Sequence, residues 1–209
     1  MRAFHRWHMR GLFFLLALWG TLNVAWSQNA ALTSSAASVP ATLLAQKLAS
    51  SDHVLLIRHA SAPGVGDPPN YTLNDCRTQR NLGPEGRKQG TRIGEWLRQQ
   101  GVRAADVYSS PWCRCKDTAE LMQLGGYRIE ASLASFFDQM HQADARNKAL
   151  QAFVAQQLKT KGPQALILVT HHVNIQAFMG ENIGSGDMVL VQVDGRGKPI
   201  AYQRIPSPT

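Results

Sequence analysis

The chain has 209 residues, enough for one domain and at most two. Hydrophobic residues make up 44% and charged residues 17%, which excludes a disordered chain and a collagen-like repeat. The formal net charge is +8, and only the extreme N-terminus is apolar enough to consider for a membrane, so a multi-span membrane protein is excluded.

Residues 1–10 carry Arg2, Arg6 and Arg10 and no acid; the apolar run GLFFLLALWG follows, then a polar stretch ending Ala25-Trp26-Ser27. A basic flank, a short apolar run and small residues at −3 and −1 predict a secretory signal over 1–27. The run is short of the roughly 20 residues a spanning helix needs. An uncleaved anchor is the competing reading. No cysteine lies near the cleavage region to carry a lipid. Cleavage after Ser27 removes three arginines and no acid, leaving 182 residues with a net charge of +5. This predicts a periplasmic or secreted protein with no stable membrane anchoring. The remaining charge is spread along the chain, with no basic run of the nucleic-acid type, so no nucleic-acid partner is expected.

Residues 28–40 are small and polar, a flexible lead-in to a domain over 41–209. ATLLAQKLASSD (41–52) makes a short amphipathic helix through Leu43, Leu44 and Leu48. VLLI (54–57) is a continuous apolar run, as a parallel strand covered on both faces should be. Residues 61–82, rich in Pro, Gly and Asn, form one long loop, and such loops in compact domains are usually functional. A helix begins near Pro84, with Gly86, Gly90, Ile93, Gly94 and Leu97 on its inner face. Three glycines there imply close approach to a sheet. Gly101 ends the helix.

ADVYSS (105–110) is a second strand, and Pro111 opens a helix to about Leu124. YRIE (127–130) is a third strand; Ala143–Lys159 is helical through Leu150, Phe153, Val154 and Leu158. Gly162-Pro163 stops it before the buried-type strand ALILVT (165–170), and 173–180 make a short helix. MVLVQV (188–193) and PIAYQRI (199–205) alternate around a DGRGK turn as a terminal hairpin. The predicted class is α/β, a three-layer αβα sandwich with a mostly parallel sheet.

In such a sheet ligands bind outside the carboxyl ends of the strands. Arg58-His59 follows the first strand, Arg114 opens the helix after the second, and His171 follows the fourth. Two arginines and two histidines with no partner acid nearby in sequence predict an anion site, since guanidinium forks match phosphate oxygens. A neutral imidazole in that field can act as a nucleophile towards phosphorus.

VLLIRHA with TLNDCRTQRNLGPEGRKQG, then VYSSPWCRCKDTAEL, then ILVTHHVNIQAFMG, resembles the histidine phosphatase superfamily, the phosphoglycerate-mutase-like fold, over about residues 53–205. The resemblance implies that His59 is phosphorylated during turnover and that Arg58 and Arg114 grip the phosphoryl oxygens. It implies that His171 stabilises the transferring group. No metal or cofactor is implied, because the arginines neutralise the charge.

The chain departs from the family pattern at three points. Ala60 stands where glycine is usual, and a residue this small should be tolerated. His172 stands where glycine often follows the second histidine, and it either faces the pocket and binds substrate or packs outside it. No general acid is evident; Asp138 is the candidate, with Asp144 and Glu130 nearby. The long insertions of the phytase branch are missing, which points to the small single-domain branch.

Cys113 and Cys115 flank Arg114, and Cys76 lies in the long loop. A C-x-C pair does not easily bridge itself, so the expected disulfide joins Cys76 to Cys113 or Cys115; the competing reading is three unpaired thiols. Zinc on these cysteines plus His172 fits no common ligand spacing.

Three functions compete at this stage. One is an exported phosphatase acting on small phosphate monoesters. Another is a phosphoglycerate-mutase-type transferase, disfavoured by export. The third is a catalytically degenerate binder of a phosphorylated glycan or lipopolysaccharide.

Overall fold

A computed structural model describes residues 33–35 and 41–209. The expected signal segment and the rest of the lead-in lie outside these residues. Among the described residues seven strands form one sheet: β1 (Thr33–Ser35), β2 (His53–Arg58), β3 (Ala105–Ser109), β4 (Arg128–Ile129), β5 (Ala165–Thr170), β6 (Met188–Val193) and β7 (Pro199–Ile205). Their spatial order is β1-β7-β6-β2-β5-β3-β4. The pairs β2–β5, β5–β3, β3–β4 and β1–β7 are parallel, while β6 runs against both its neighbours. The mostly parallel sheet with an antiparallel C-terminal hairpin is as expected. The edge strand β1 is an addition, in a stretch where the sequence gives no strand signal.

Helices α1 (Ala41–Ala49), α2 (Pro84–Gln99) and α3 (Cys113–Met122) cover one face; α4 (Ala143–Thr160) and α5 (His172–Met179) cover the other. Alternate residues of β2 feed the two cores. Leu55 and Ile57 meet Leu48, Ile93 and Met122, whereas Val54 and Leu56 meet Leu150, Val154 and Ile175. All six residues of β5 are buried, which is why its sequence is a run rather than an alternation. β6 is also buried almost throughout, because β7 and β1 extend the sheet beyond it. That corrects the alternating pattern expected of it. Two helix details differ from expectation. Leu43 is half exposed, leaving Leu44 and Leu48 to anchor α1, and α3 starts at Cys113, two residues after Pro111.

The five expected inner residues of α2 are its buried ones. Ile93 and Leu97 meet the sheet, but the partner of the three glycines is not the sheet. A side chain on Gly86 would run into the Ser61 carbonyl, and one on Gly90 would crowd Leu121. One on Gly94 would run into the Met122 carbonyl, so the glycines seat α2 against the end of α3 and the loop after β2. Gly94→Ala should therefore cost about 1–3 kcal/mol, the range for overpacking a tight contact. Gly195→Ala, at an exposed position with open space around it, should change little. Equal urea midpoints for the two variants would show that the α2–α3 contact relaxes freely.

Candidate active site

β2, β3 and β5 are parallel and end together, and their continuations are stitched by backbone bonds from His59 N–H to the Thr170 carbonyl and from Ser110 N–H to the Val169 carbonyl, both 2.9 Å. The chain thus delivers Arg58-His59, Ser110 and His171 to one sheet edge. β6 starts at the same edge, so the segment 183–187 closes the site from the side. A cleft of about 370 Å³ lies there, lined by Arg58, His59, Arg114 and His171, with His172 and Asp138 also on its wall. All six sequence-predicted residues meet in it. Glu130 does not: its carboxylate accepts from Ser132 N–H and caps a 3₁₀ turn. Asp144 sits in the exposed first turn of α4.

His59 is buried, and its Nδ1 lies 2.8 Å from the Ala60 carbonyl. A carbonyl only accepts, so Nδ1 carries the proton and the Nε2 lone pair is left free. Burial pushes the ring's pKa down to about 3, and Arg114, Arg58 and Arg80 push the same way against the Ala60 bond. The Ala60 N–H donates to Thr118 Oγ1 (3.0 Å), which in turn donates to the Arg114 carbonyl (2.7 Å). Alanine at this position thus fits in a fully buried slot and keeps the carbonyl aimed at the imidazole.

His171 faces His59 edge-on, with ring centroids 5.4 Å apart. Arg114 Nη2 can only donate towards Nδ1 (3.5 Å), so Nε2–H donates to Ser110 Oγ (2.8 Å). Burial, then His59 and Arg114, hold this ring neutral, well below its ordinary range. His172 lines the cleft rather than packing outside it, tilted against Phe137 at 5.7 Å. Burial and the three arginines lower its pKa too.

Two residues at the site escaped the sequence reading. Asp67, in the long loop, is a buried carboxylate that accepts from Arg114 Nη1 (2.9 and 3.1 Å), Trp112 Nε1 (3.0 Å) and the Arg80 backbone N–H (2.9 Å). The expectation of an anion site without a partner acid is therefore corrected. The acid comes from 47 residues away along the chain, where no local pattern shows it. Arg80 donates from Nε to the Gly66 carbonyl (2.7 Å) and from Nη1 to the Ala62 carbonyl (2.5 Å), and lines the cleft as a third cation. Arg80 lies in the segment TLNDCRTQRNLGPEGRKQG, where no spacing distinguishes it from the loop's other polar residues.

The two expected arginines share one arrangement. Each is held through Nη1, Arg58 by the Ile183 carbonyl (2.7 Å) and Arg114 by Asp67, and each has a buried Nε without a partner. Buried unpaired donors are costly. An oxyanion in the cleft would satisfy them, because Nε and one Nη form the side-on fork that grips two oxygens.

Cys76 and Cys113 form the disulfide, with Cα atoms 5.7 Å apart. Cys115 is a free, fully buried thiol whose pKa burial pushes up to about 12. Among the described residues no group of three His, Cys, Asp or Glu side chains is arranged to hold a metal.

The family model for the histidine phosphatase superfamily (branch 1) matches residues 54–141. The match spans 88 of the 209 residues, the part of the chain that carries Arg58, His59 and Arg114. The chain shares its fold with the protein histidine phosphatase SixA complexed with tungstate (18% identity, TM-score 0.50, covering 74% of this chain and 94% of that one). It also resembles a mycobacterial glucosyl-3-phosphoglycerate phosphatase complexed with VO3 (15%, TM-score 0.55, covering 76% and 100%). A third relative in fold is a phosphoserine phosphatase from Entamoeba histolytica in complex with 3-phosphoglyceric acid (12%, TM-score 0.54, covering 75% and 96%). No curated protein sequence matches the chain.

The neutral histidines of the site make the protein's stability pH-dependent. His59 titrates near 6.5 when unfolded and near 3 when folded. As pH falls below about 6.5 the unfolded chain takes up a proton that the folded ring refuses, so stability falls. His171 adds a change of the same sign. Between pH 7 and 5 His59 alone should cost about 2 kcal/mol. An unchanged urea midpoint over that interval would contradict the buried, neutral assignment.

Proposed function

We propose that the protein is an exported, metal-independent phosphatase that hydrolyses phosphate monoesters through a phosphohistidine on His59. The observation that carries this reading is the His59 ring itself: neutral, with Nδ1 held by the Ala60 carbonyl and Nε2 free beside three arginines. In the first step the Nε2 lone pair forms a bond to phosphorus as the bond to the ester oxygen breaks in line. The leaving oxygen takes a proton from the Asp138 carboxyl or from water. In the second step water attacks phosphorus, the N–P bond breaks, and inorganic phosphate leaves with the water's proton passed to the same carboxylate. The unpartnered donors of Arg58 and Arg114 bind the equatorial oxygens, whose charge must be stabilised throughout. His171 completes the cage beside His59, and His172 contacts bound substrate from the wall.

Brief incubation with a ³²P-labelled monoester, followed by alkaline quench, should trap acid-labile label on wild type and none on His59→Ala. A catalytically degenerate binder would bind the ester and trap nothing. Export is supported by the N-terminal pattern. The secreted or periplasmic protein should begin at or near Gln28, and N-terminal sequencing that finds residue 1 intact on it would sink the export assignment.

A further inference from the structure

We propose that the mouth of the cleft is an aromatic subsite, so that the preferred substrate is a phosphomonoester of an aromatic alcohol with no second anionic group beside the phosphoryl. This deepens the phosphatase reading and rests on it. Phe137 and Val65 line the cleft from opposite parts of the sequence and stay 40% and 89% exposed; of the six exposed large apolar side chains among the described residues, these two face the cleft. Phe137 is not a floppy surface residue. Its neighbour Phe136 is buried, its own N–H meets Ser135 Oγ (3.3 Å), and Asn174 Nδ2 ties the Ala134 carbonyl to α5 (2.9 Å). Its ring rests against His172. Val65 sits between Gly64 and Gly66, both at positive φ, on a turn that Arg80 straps down through the Gly66 carbonyl. Two fixed apolar groups over a cationic floor suit a ligand with a charged end and a flat apolar body.

The charge distribution argues the second half of the proposal. The cleft's cations are Arg58, Arg80 and Arg114, all on the floor. Arg58 and Arg114 keep their unpartnered Nε donors for one oxyanion, and Arg80 has two of its nitrogens on loop carbonyls. At the wall stand Asp138 and His172, and neither offers a cation, since His172 is held neutral. A carboxylate or second phosphate next to the phosphoryl would therefore find no cation at the wall, and only the part of Arg80 that the loop carbonyls leave open.

Aryl esters also react faster because their leaving groups are better, so the test uses binding of inert analogues. Inhibition constants of benzylphosphonate, phosphonoacetate and inorganic phosphate are measured against p-nitrophenyl phosphate turnover by the full chain. Benzylphosphonate should bind at least tenfold tighter than phosphate, and phosphonoacetate, with its added carboxylate, more weakly than phosphate. Phe137→Ala should remove the benzylphosphonate advantage and leave the phosphate constant within twofold, while Phe137→Tyr should retain the advantage. Equal constants for benzylphosphonate and phosphate, or an advantage that survives Phe137→Ala, would overturn the subsite and leave the phosphatase reading standing. Absence of any trapped phosphoenzyme would remove the ground of both.

Discussion

His59→Ala should hydrolyse p-nitrophenyl phosphate about a thousandfold or more slowly than wild type while keeping its far-UV circular dichroism. Removing a covalent nucleophile deletes the step that divides one difficult displacement into two easier ones, and binding energy from the arginines does not replace it. The arginines can still hold the phosphoryl group for attack by water, so a small residual rate is expected rather than none. The fold should survive because the strand before His59 is fixed independently. Val54, Leu55, Leu56 and Ile57 are fully buried; all four pair with β6, and Leu55, Leu56 and Ile57 also pair with β5. Residual activity within tenfold of wild type would contradict the assignment of His59.

The residues of this site were legible in the sequence to different degrees, for physical reasons. Strands buried on both faces write themselves as apolar runs, so β2 and β5 could be read and the residues just after them placed at one sheet edge. The inner face of α2 was legible because its glycines and apolar residues recur at helical spacing. What the glycines touch was not, because whether a helix packs on a sheet or on another helix depends on a partner remote in sequence.

Asp67 and Arg80 were missed for the same reason. They act from a loop without periodicity, and their importance lies in contacts with Arg114 and with backbone carbonyls. The three residues Thr33–Ser35 carry no apolar signal and are a strand only through pairing with β7. The choice between Cys113 and Cys115 needed the helix. Residues two apart on an α-helix point roughly 200° away from each other. One cysteine can therefore reach the loop while the other turns inwards, and Cys115 sits in the core beside Val169 and Trp112.

Reduction of Cys76–Cys113 should lower kcat/KM by about 10- to 100-fold without changing the far-UV circular dichroism at 25 °C. The bond joins a 3₁₀ turn of the long loop to the first residue of α3, and the next residue is Arg114. That loop also carries Asp67, which holds Arg114 through Nη1, and Gln79, whose Oε1 accepts from Cys113 N–H (2.9 Å). The disulfide therefore closes a frame around the guanidinium that meets the phosphoryl group. Opening it frees the loop to pull Asp67 from the arginine, and a displacement of about 1 Å in a positioning group can cost 10²-fold in rate. The closed loop spans 37 residues, and its loss should cost on the order of 2–4 kcal/mol of stability. The two cores on either side of the sheet contain neither bonded cysteine, so the domain should remain folded while the site loosens. Cys76→Ser should reproduce both effects. The native protein should titrate one thiol after denaturation without reductant, that of Cys115. A count of three, or full activity after complete reduction, would show that the cysteines pack passively and that Asp67 holds Arg114 without their help.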